Sequence, residues 1–398
     1  MHQVPHPQEA TVNTFLSSDQ EALLSRYRAF VQEHVLPVAD ALDEGNYNVR
    51  ELFAALGQEG HLGAAVSKEY GGQGAPFLNF VLLTEAIAEV EPGLALSLAA
   101  HAQVMELVSK FGTDKQKSRY LPLLARGECI GAFALNEENA GSDYSALQTT
   151  AKAKDGKIAI SGSKTWVVNG SVANLLLIVA KVEKGDDKRL SIWLTDFENN
   201  SAIKVGANRK KLGLRSAATN DIVFNELLLE SDSYLGSTEP ATAADDRAID
   251  EAIQHAFDIS KVTVASAAIG LLGHAVNSSV ERARTREQFG GNIGKLQAIQ
   301  WKLADMSTES AAARLLTYRA GWAKDGAPEE FRKFAAMCKF FAARAARIHS
   351  SETVQIFGAL GLSDDEPIEK MYRDAKAMEI AEGTSEIQKN VVAQQVGT

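Results

Sequence analysis

Two cysteines in 398 residues, Cys129 and Cys338, stand far apart and in no ligand-like spacing. That excludes a disulfide scaffold and a cysteine-rich zinc site. It fits a reducing compartment, so a cytoplasmic location is expected. Basic residues are in the minority, 41 against 51 acidic, for a formal net charge of -10. Such a surface is a poor match for nucleic-acid phosphates. Long apolar runs are also missing. The longest aliphatic run, Leu175 to Ala180, is far too short to cross a bilayer. The opening Met1-His2-Gln3-Val4-Pro5 has no basic stretch and no apolar run, so neither a secretory leader nor a membrane anchor is expected. What remains, 45% apolar and 23% charged, is the composition of a globular protein, long enough for two or three domains.

The hydrophobic period changes twice along the chain. Residues 1–18 are polar and read as a loose arm. From about Asp19 to Cys129 the pattern is helical, with Asp19 and Asp114 as candidate N-caps and Pro92-Gly93 separating two runs. Leu82, Leu83, Ile87 and Val90 recur at core-facing helical spacing. Residues 130–240 carry short β-like stretches, with Asp155-Gly156 and Asn169-Gly170 as turn signals. The charged stretch Glu183 to Arg189 reads as a hairpin tip between two apolar strands. After about Ala241 the chain is Ala-rich and helical, near 247–288, 295–325, 328–357 and 385–395, which suggests an antiparallel bundle. Three domains are expected: helical over 1–128, a β-barrel or sandwich over 129–240, and a helical bundle over 241–398.

Four segments could carry chemistry. Gly131-Ala-Phe-Ala-Leu-Asn-Glu-Glu-Asn-Ala-Gly-Ser-Asp143 opens as a strand and ends in a small-residue loop, where backbone N–H groups and Ser142 could hold a polar ligand. It could equally be a strand and a surface turn. Gly162-Ser-Lys-Thr-Trp-Val-Val-Asn-Gly170 places a tryptophan on a strand before a turn, either beside an aromatic cofactor or in the core. Arg284-Thr-Arg-Glu-Gln-Phe-Gly290 ends a long helix with two guanidinium forks, suited to a pyrophosphate or to the helix dipole alone. Last, Ser385 and Gln388 in Glu379-Ile-Ala-Glu-Gly-Thr-Ser-Glu-Ile-Gln388 make a capping box, which leaves Glu382 without a structural task and free to be a general base. His101, His274 and His349 read as packed or surface side chains, and no metal is assigned.

In order and spacing these segments resemble the acyl-CoA dehydrogenase family over nearly the whole chain. The resemblance rests on Ala140-Gly-Ser-Asp143 with Lys164-Thr-Trp166, on Arg286-Glu-Gln-Phe-Gly290, on Val354-Gln-Ile-Phe-Gly358, and on Tyr372-Arg-Asp-Ala-Lys376 leading to Glu382-Gly-Thr-Ser-Glu-Ile-Gln388. It implies a mainly α fold with a middle β-barrel and a C-terminal four-helix bundle, FAD as cofactor, and a homotetramer or homodimer. It implies that Phe133, Leu135, Asn136, Gly141, Ser142, Trp166, Val167 and Val168 line the flavin. Arg286, Phe289, Gln297, Gln355 and Gly358 would reach FAD across a subunit interface, with Thr384 and Glu386 nearby. Ser142, Asp258, Lys261 and Gly383 would face the substrate. Glu382 would take the α-proton of an acyl thioester while the β-hydrogen leaves as hydride to the flavin. Electron-transferring flavoprotein or oxygen would accept the electrons.

The chain departs from that family at several places. Asn136 and Val168 replace hydroxyl residues that usually touch or approach the flavin, and Glu138-Asn139 replaces a common Pro-Gly. Ala381 replaces a tyrosine beside the base, which should open space for a branched or ring-bearing acyl group. Lys261 and Gln394 stand where arginines are usual, and neither reproduces a bidentate guanidinium–phosphate contact. Two carriers of the thioester therefore stay open, CoA and a carrier protein's phosphopantetheine. A flavin oxidase or monooxygenase and a non-catalytic binding protein on the same fold are the alternatives. Glu382 itself weighs against both.

Overall fold

The computed structural model describes residues 15–184, 187–197, 200–237 and 246–397. Most of the expected N-terminal arm, the tip of the charged hairpin and the expected limit at 240 lie outside the described residues.

The N-terminal part is built mainly from α1 (Ser18–Phe30), α2 (Ala39–Asp43), α3 (Val49–Gln58), α4 (Phe77–Ala88), α5 (Pro92–Phe111) and α6 (Asp114–Ala125). The caps of two helices lie just before the expected ones, by two residues in α1 and by one in α6. Ser17 caps α1 through a reciprocal box with Gln20, and Thr113 caps α6 in the same way with Gln116. Asp19 and Asp114 lie in the first turns instead, where their charge suits the helix dipole. Pro92-Gly93, expected to separate two helical runs, instead opens α5, because a proline at the first helical position loses no hydrogen bond. Helix α4 is buried on all sides, not along one stripe.

The middle part holds β1 (Gly131–Ala134), β2 (Thr150–Lys154), β3 (Lys157–Val168), β4 (Leu175–Lys184), β5 (Asp187–Asp196), β6 (Ile203–Val205) and β7 (Thr219–Leu229). They form one curled seven-stranded sheet, in the order β1-β4-β2-β3-β7-β6 with β5 on β4. Asp155-Gly156 closes the β2–β3 hairpin, both residues left-handed, as a two-residue turn requires. Asn169-Gly170 is not a hairpin turn. β3 pairs with β2 and β7, and the chain after Asn169 leaves that edge to reach β4. Asn169 is buried, and its amide donates to the Ser97 and Gly131 carbonyls, fastening β3 to α5 and β1.

The C-terminal part contains α7 (Asp246–Thr285), a small hairpin of β8 (Glu287–Gln288) and β9 (Gly291–Asn292), α8 (Gln297–Gly326), α9 (Pro328–Phe357), α10 (Ile368–Ile380) and α11 (Ser385–Gln395). By length and composition α7 could span a membrane, but 83% of its apolar window is buried inside the protein, as in a core helix. One apolar core runs through α4, α5, α7, α8, α9 and α10. A second joins the sheet to α5, α6 and the start of α7. Helix α5 belongs to both, so it sits between the sheet and the bundle.

Candidate active site

The chain between α10 and α11 makes a tight reversal. Glu382 has φ 56 and Gly383 φ 95, two consecutive left-handed residues. For a glutamate that conformation is strained, and the structure around it must hold it in place. A Cβ on Gly383 would lie 2.7 Å from the Gln388 amide nitrogen, so glycine is required there. The cap of α11 is Thr384, one residue before the expected Ser385. Gln388 is no capping-box partner. Its buried amide donates back to the carbonyls of Glu382 (3.2 Å) and Gly383 (3.0 Å).

That turn sends the Glu382 side chain inward, between α5 and α7. Gln103 Nε2 donates to its Oε2 at 3.0 Å and Ser260 Oγ donates to the same oxygen at 2.7 Å. Oε1 receives no hydrogen bond among the described residues. Burial raises the carboxyl pKa above its ordinary value, against the opposing pull of Ser260, Lys339, Gln103 and Lys261. Gln103, Ser260 and Lys339 escape sequence reasoning, because they lie 279, 122 and 43 positions from Glu382 or its turn.

On the sheet, Leu135 and Val167 are buried, Phe133, Asn136 and Val168 are half-buried, and Gly141 and Ser142 are exposed. The Asn136 carbonyl accepts from Thr165 N at 2.8 Å. Lys164, whose side chain is wholly buried, donates to the Leu135 carbonyl (2.9 Å) and to Glu137 (2.7 Å). Glu137 also accepts from the backbone N–H groups of Gln148 and Thr149. This pair locks the loop after β1 onto β3. Trp166 is left-handed (φ 58), half exposed, and sits where the β3–β7 register slips. Arg209 lies 4.6 Å from the centre of its ring and is itself held by Asp221 and Thr165, neither of them expected at the site.

Of the remaining expected residues, Thr384 and Glu386 follow Glu382 at the start of α11, and Lys261 adjoins Ser260. Arg286, Gln297, Gln355, Gly358 and Glu386 are exposed, Thr384 is partly so, and Phe289 at the β8–β9 turn is 93% exposed. No described hydrogen bond joins Arg286, Phe289, Gln297 or Gln355 to the Glu382 cluster. Among the described residues the Arg286 side chain has no hydrogen-bond or ion-pair partner, so its donor fork fits a pyrophosphate such as that of FAD, and the bare Phe289 ring fits an adenine face. Asp258 and Lys261 turn to each other instead of outward: both are buried, Lys261 Nζ donates to Asp258 at 2.8 Å, and Arg332 reaches the same carboxylate.

Three family descriptions match the chain: acyl-CoA dehydrogenase N-terminal domain over 17–128, middle domain over 132–227 and C-terminal domain over 251–397. The chain belongs to the acyl-CoA dehydrogenase family. The short-chain specific acyl-CoA dehydrogenase of Clostridium acetobutylicum is 33% identical over 95% of this chain and 98% of its own length. The solved butyryl-CoA dehydrogenase of Megasphaera elsdenii is 30% identical, with a TM-score of 0.88 over 96% of this chain and 98% of that one. The prolyl acyl carrier protein oxidase AnaB is 26% identical, with a TM-score of 0.87 over 96% and 100%. The family assignment makes the chain an oxidoreductase acting on CH–CH groups and a flavoprotein that uses FAD.

Proposed function

We propose that this family member desaturates an acyl thioester between its α and β carbons, with Glu382 as the base. The observation that carries the reading is the inward Glu382 carboxylate, with both hydrogen bonds on Oε2 and Oε1 left to receive a proton. An ordinary glutamate is too acidic for this task, and burial moves Glu382 toward neutrality, where a general base works best. The backbone N–H of Glu382, fixed by the left-handed turn, binds the thioester carbonyl and stabilises the enolate that forms as the proton leaves. FAD would supply the acceptor for the β-hydride. Phe133, Leu135, Asn136 and residues 166–168 would line its ring, and the guanidinium of Arg286, with Phe289, Gln297 and Gln355, would hold its distal half. Ala381 leaves room beside the base.

The test is Glu382→Gln. The variant keeps its yellow flavin and binds acyl thioester, but the oxidised flavin band does not bleach under anaerobic substrate. In the parent protein the bleaching rate rises with pH as Glu382 loses its proton, and the midpoint lies above the ordinary carboxylate range. Near-normal bleaching by the variant would remove Glu382 from the role.

A carrier-protein thioester is the second reading. One observation favours it: the positive charge of Lys261 is spent inside the protein on Asp258, and so does not meet a nucleotide phosphate. Its similarity to the carrier protein oxidase AnaB points the same way. Turnover of one acyl group on CoA and on a carrier protein decides between them. Clearly better use of CoA ends the carrier reading.

A further inference from the structure

Lys339 lies on α9 with its side chain fully buried. Its Nζ donates to the carbonyl of Glu379, in the last turn of α10, at 3.0 Å, and to the carbonyl of Gly383 at 2.5 Å. Among the described residues no carboxylate lies within ion-pair distance of it. Glu379, the acid next in line, is taken up by Arg347 (3.0 Å) and Lys376 (2.8 Å). A buried ammonium is costly unless something nearby uses its charge. The charged groups that face it are Glu382, Glu379 and Glu386, with Lys261 opposing. Burial brings Lys339 down to about 8, so it remains an ammonium at neutral pH.

We propose that Lys339 is a positioning residue for the reaction: it clamps the carbonyls of Glu379 and Gly383 on both sides of Glu382, and so sets a buried ammonium against the turn that carries the base. The proposal rests on Glu382 being the base. The clamp bridges the end of α10 and the start of α11, so it fixes the reversal on which the left-handed Glu382 and its N–H depend. Without it, the Glu379 carbonyl loses this partner and the Gly383 carbonyl keeps only Gln388. The bland alternative is a plain helix C-cap, which a lysine also supplies. The two differ in what they do to Glu382. A cap leaves its titration alone; a field from Lys339 lowers it, alongside the effects of Ser260, Gln103 and Lys261.

The test uses the FAD-loaded protein, with Lys339→Met and Lys339→Gln. Glu382 is titrated by carbon-13 NMR of labelled glutamate carboxyls, its signal assigned by its loss in Glu382→Gln. Both variants are expected to titrate Glu382 at higher pH than the parent. Flavin bleaching at neutral pH should slow on the order of tenfold in the methionine variant, and less in the glutamine variant, which keeps a donor for the carbonyls. Should the methionine variant not fold, the glutamine variant carries the same comparison. An unmoved Glu382 titration in the variants overturns the proposal. If instead Glu382→Gln still bleaches its flavin, the assignment of the base fails, while the NMR titration still reads the effect of Lys339.

Discussion

His101 on α5 is completely buried, and both ring nitrogens are engaged. The Gly131 N–H donates to Nδ1 at 3.1 Å, so Nδ1 carries no proton, and Nε2 donates to the Leu124 carbonyl at 3.2 Å. One neutral tautomer thus links α5 to α6 and to the start of β1. Burial pulls its pKa from 6.5 down to about 4, with the Leu124 carbonyl opposing. The unfolded chain takes up this proton near 6.5, the native one not until about 4, so between those values the unfolded state binds more protons. Stability from His101 is therefore complete above 6.5 and lost as pH falls through 4, by about 3 kcal/mol in all. His101→Gln should cost about 1–2 kcal/mol at pH 7.5 and flatten the acid dependence. Urea unfolding of both proteins at pH 7.5 and 4.5 measures it; parallel losses on acidification would refute the account. The neutral, packed state of this histidine agrees with the sequence reading. The partners of Lys164 were not legible: Lys164 and Glu137 are 27 positions apart, and no local pattern links them.

Elements were legible where the period is strong and local. The three long helices of the C-terminal part fall within a few residues of their expected ranges, because each is a long Ala-containing run with no proline past its first turn. Cap positions slipped by two residues in α1 and by one in α6 and α11, since neighbouring Ser, Thr and Asp residues compete for the same backbone N–H groups. Helix α10 was not anticipated as a helix, although Ile368, Met371, Ala375 and Met378 give it a buried stripe. Asn169-Gly170 turns the chain as its sequence signals, but which strand follows is set by distant pairing, which a dipeptide does not encode. For the site, the turn at Glu382 could be read from the sequence; the two side chains that hydrogen-bond its carboxylate could not, because α5 and α7 approach it only in the folded chain.

At the scale of the whole molecule, one buried cluster joins all three parts of the chain just behind the base. Glu91, between α4 and α5, accepts from Ser216 of the middle part at 2.8 Å and from Lys370 of α10 at 3.2 Å. Lys370 also donates to Asp374 at 2.7 Å, and Asp374 accepts from Leu214 N at 2.5 Å. Approach is close: a Cβ on Gly213 would lie 2.4 Å from the Arg373 carbonyl. Since α10 leads through Ala381 into Glu382, this cluster helps set how the base meets Gln103 on α5 and Ser260 on α7. Lys370 is the cation between two fully buried carboxylates. Burial raises Glu91, and Lys370 is the strongest opposing influence. Lys370→Met leaves both acids uncompensated, and the expected loss is roughly 3–5 kcal/mol at pH 7.5. The sign with pH follows. The variant's acids must take up protons to stay buried, so its deficit shrinks as pH falls and they protonate more easily. Adding Glu91→Gln removes one of the two charges and should recover part of the loss, a coupling that a double-mutant cycle by denaturant unfolding would read. A deficit under about 1 kcal/mol, or one independent of pH, would mean that apolar packing of α10 against the shared core holds the three parts in register without this cluster.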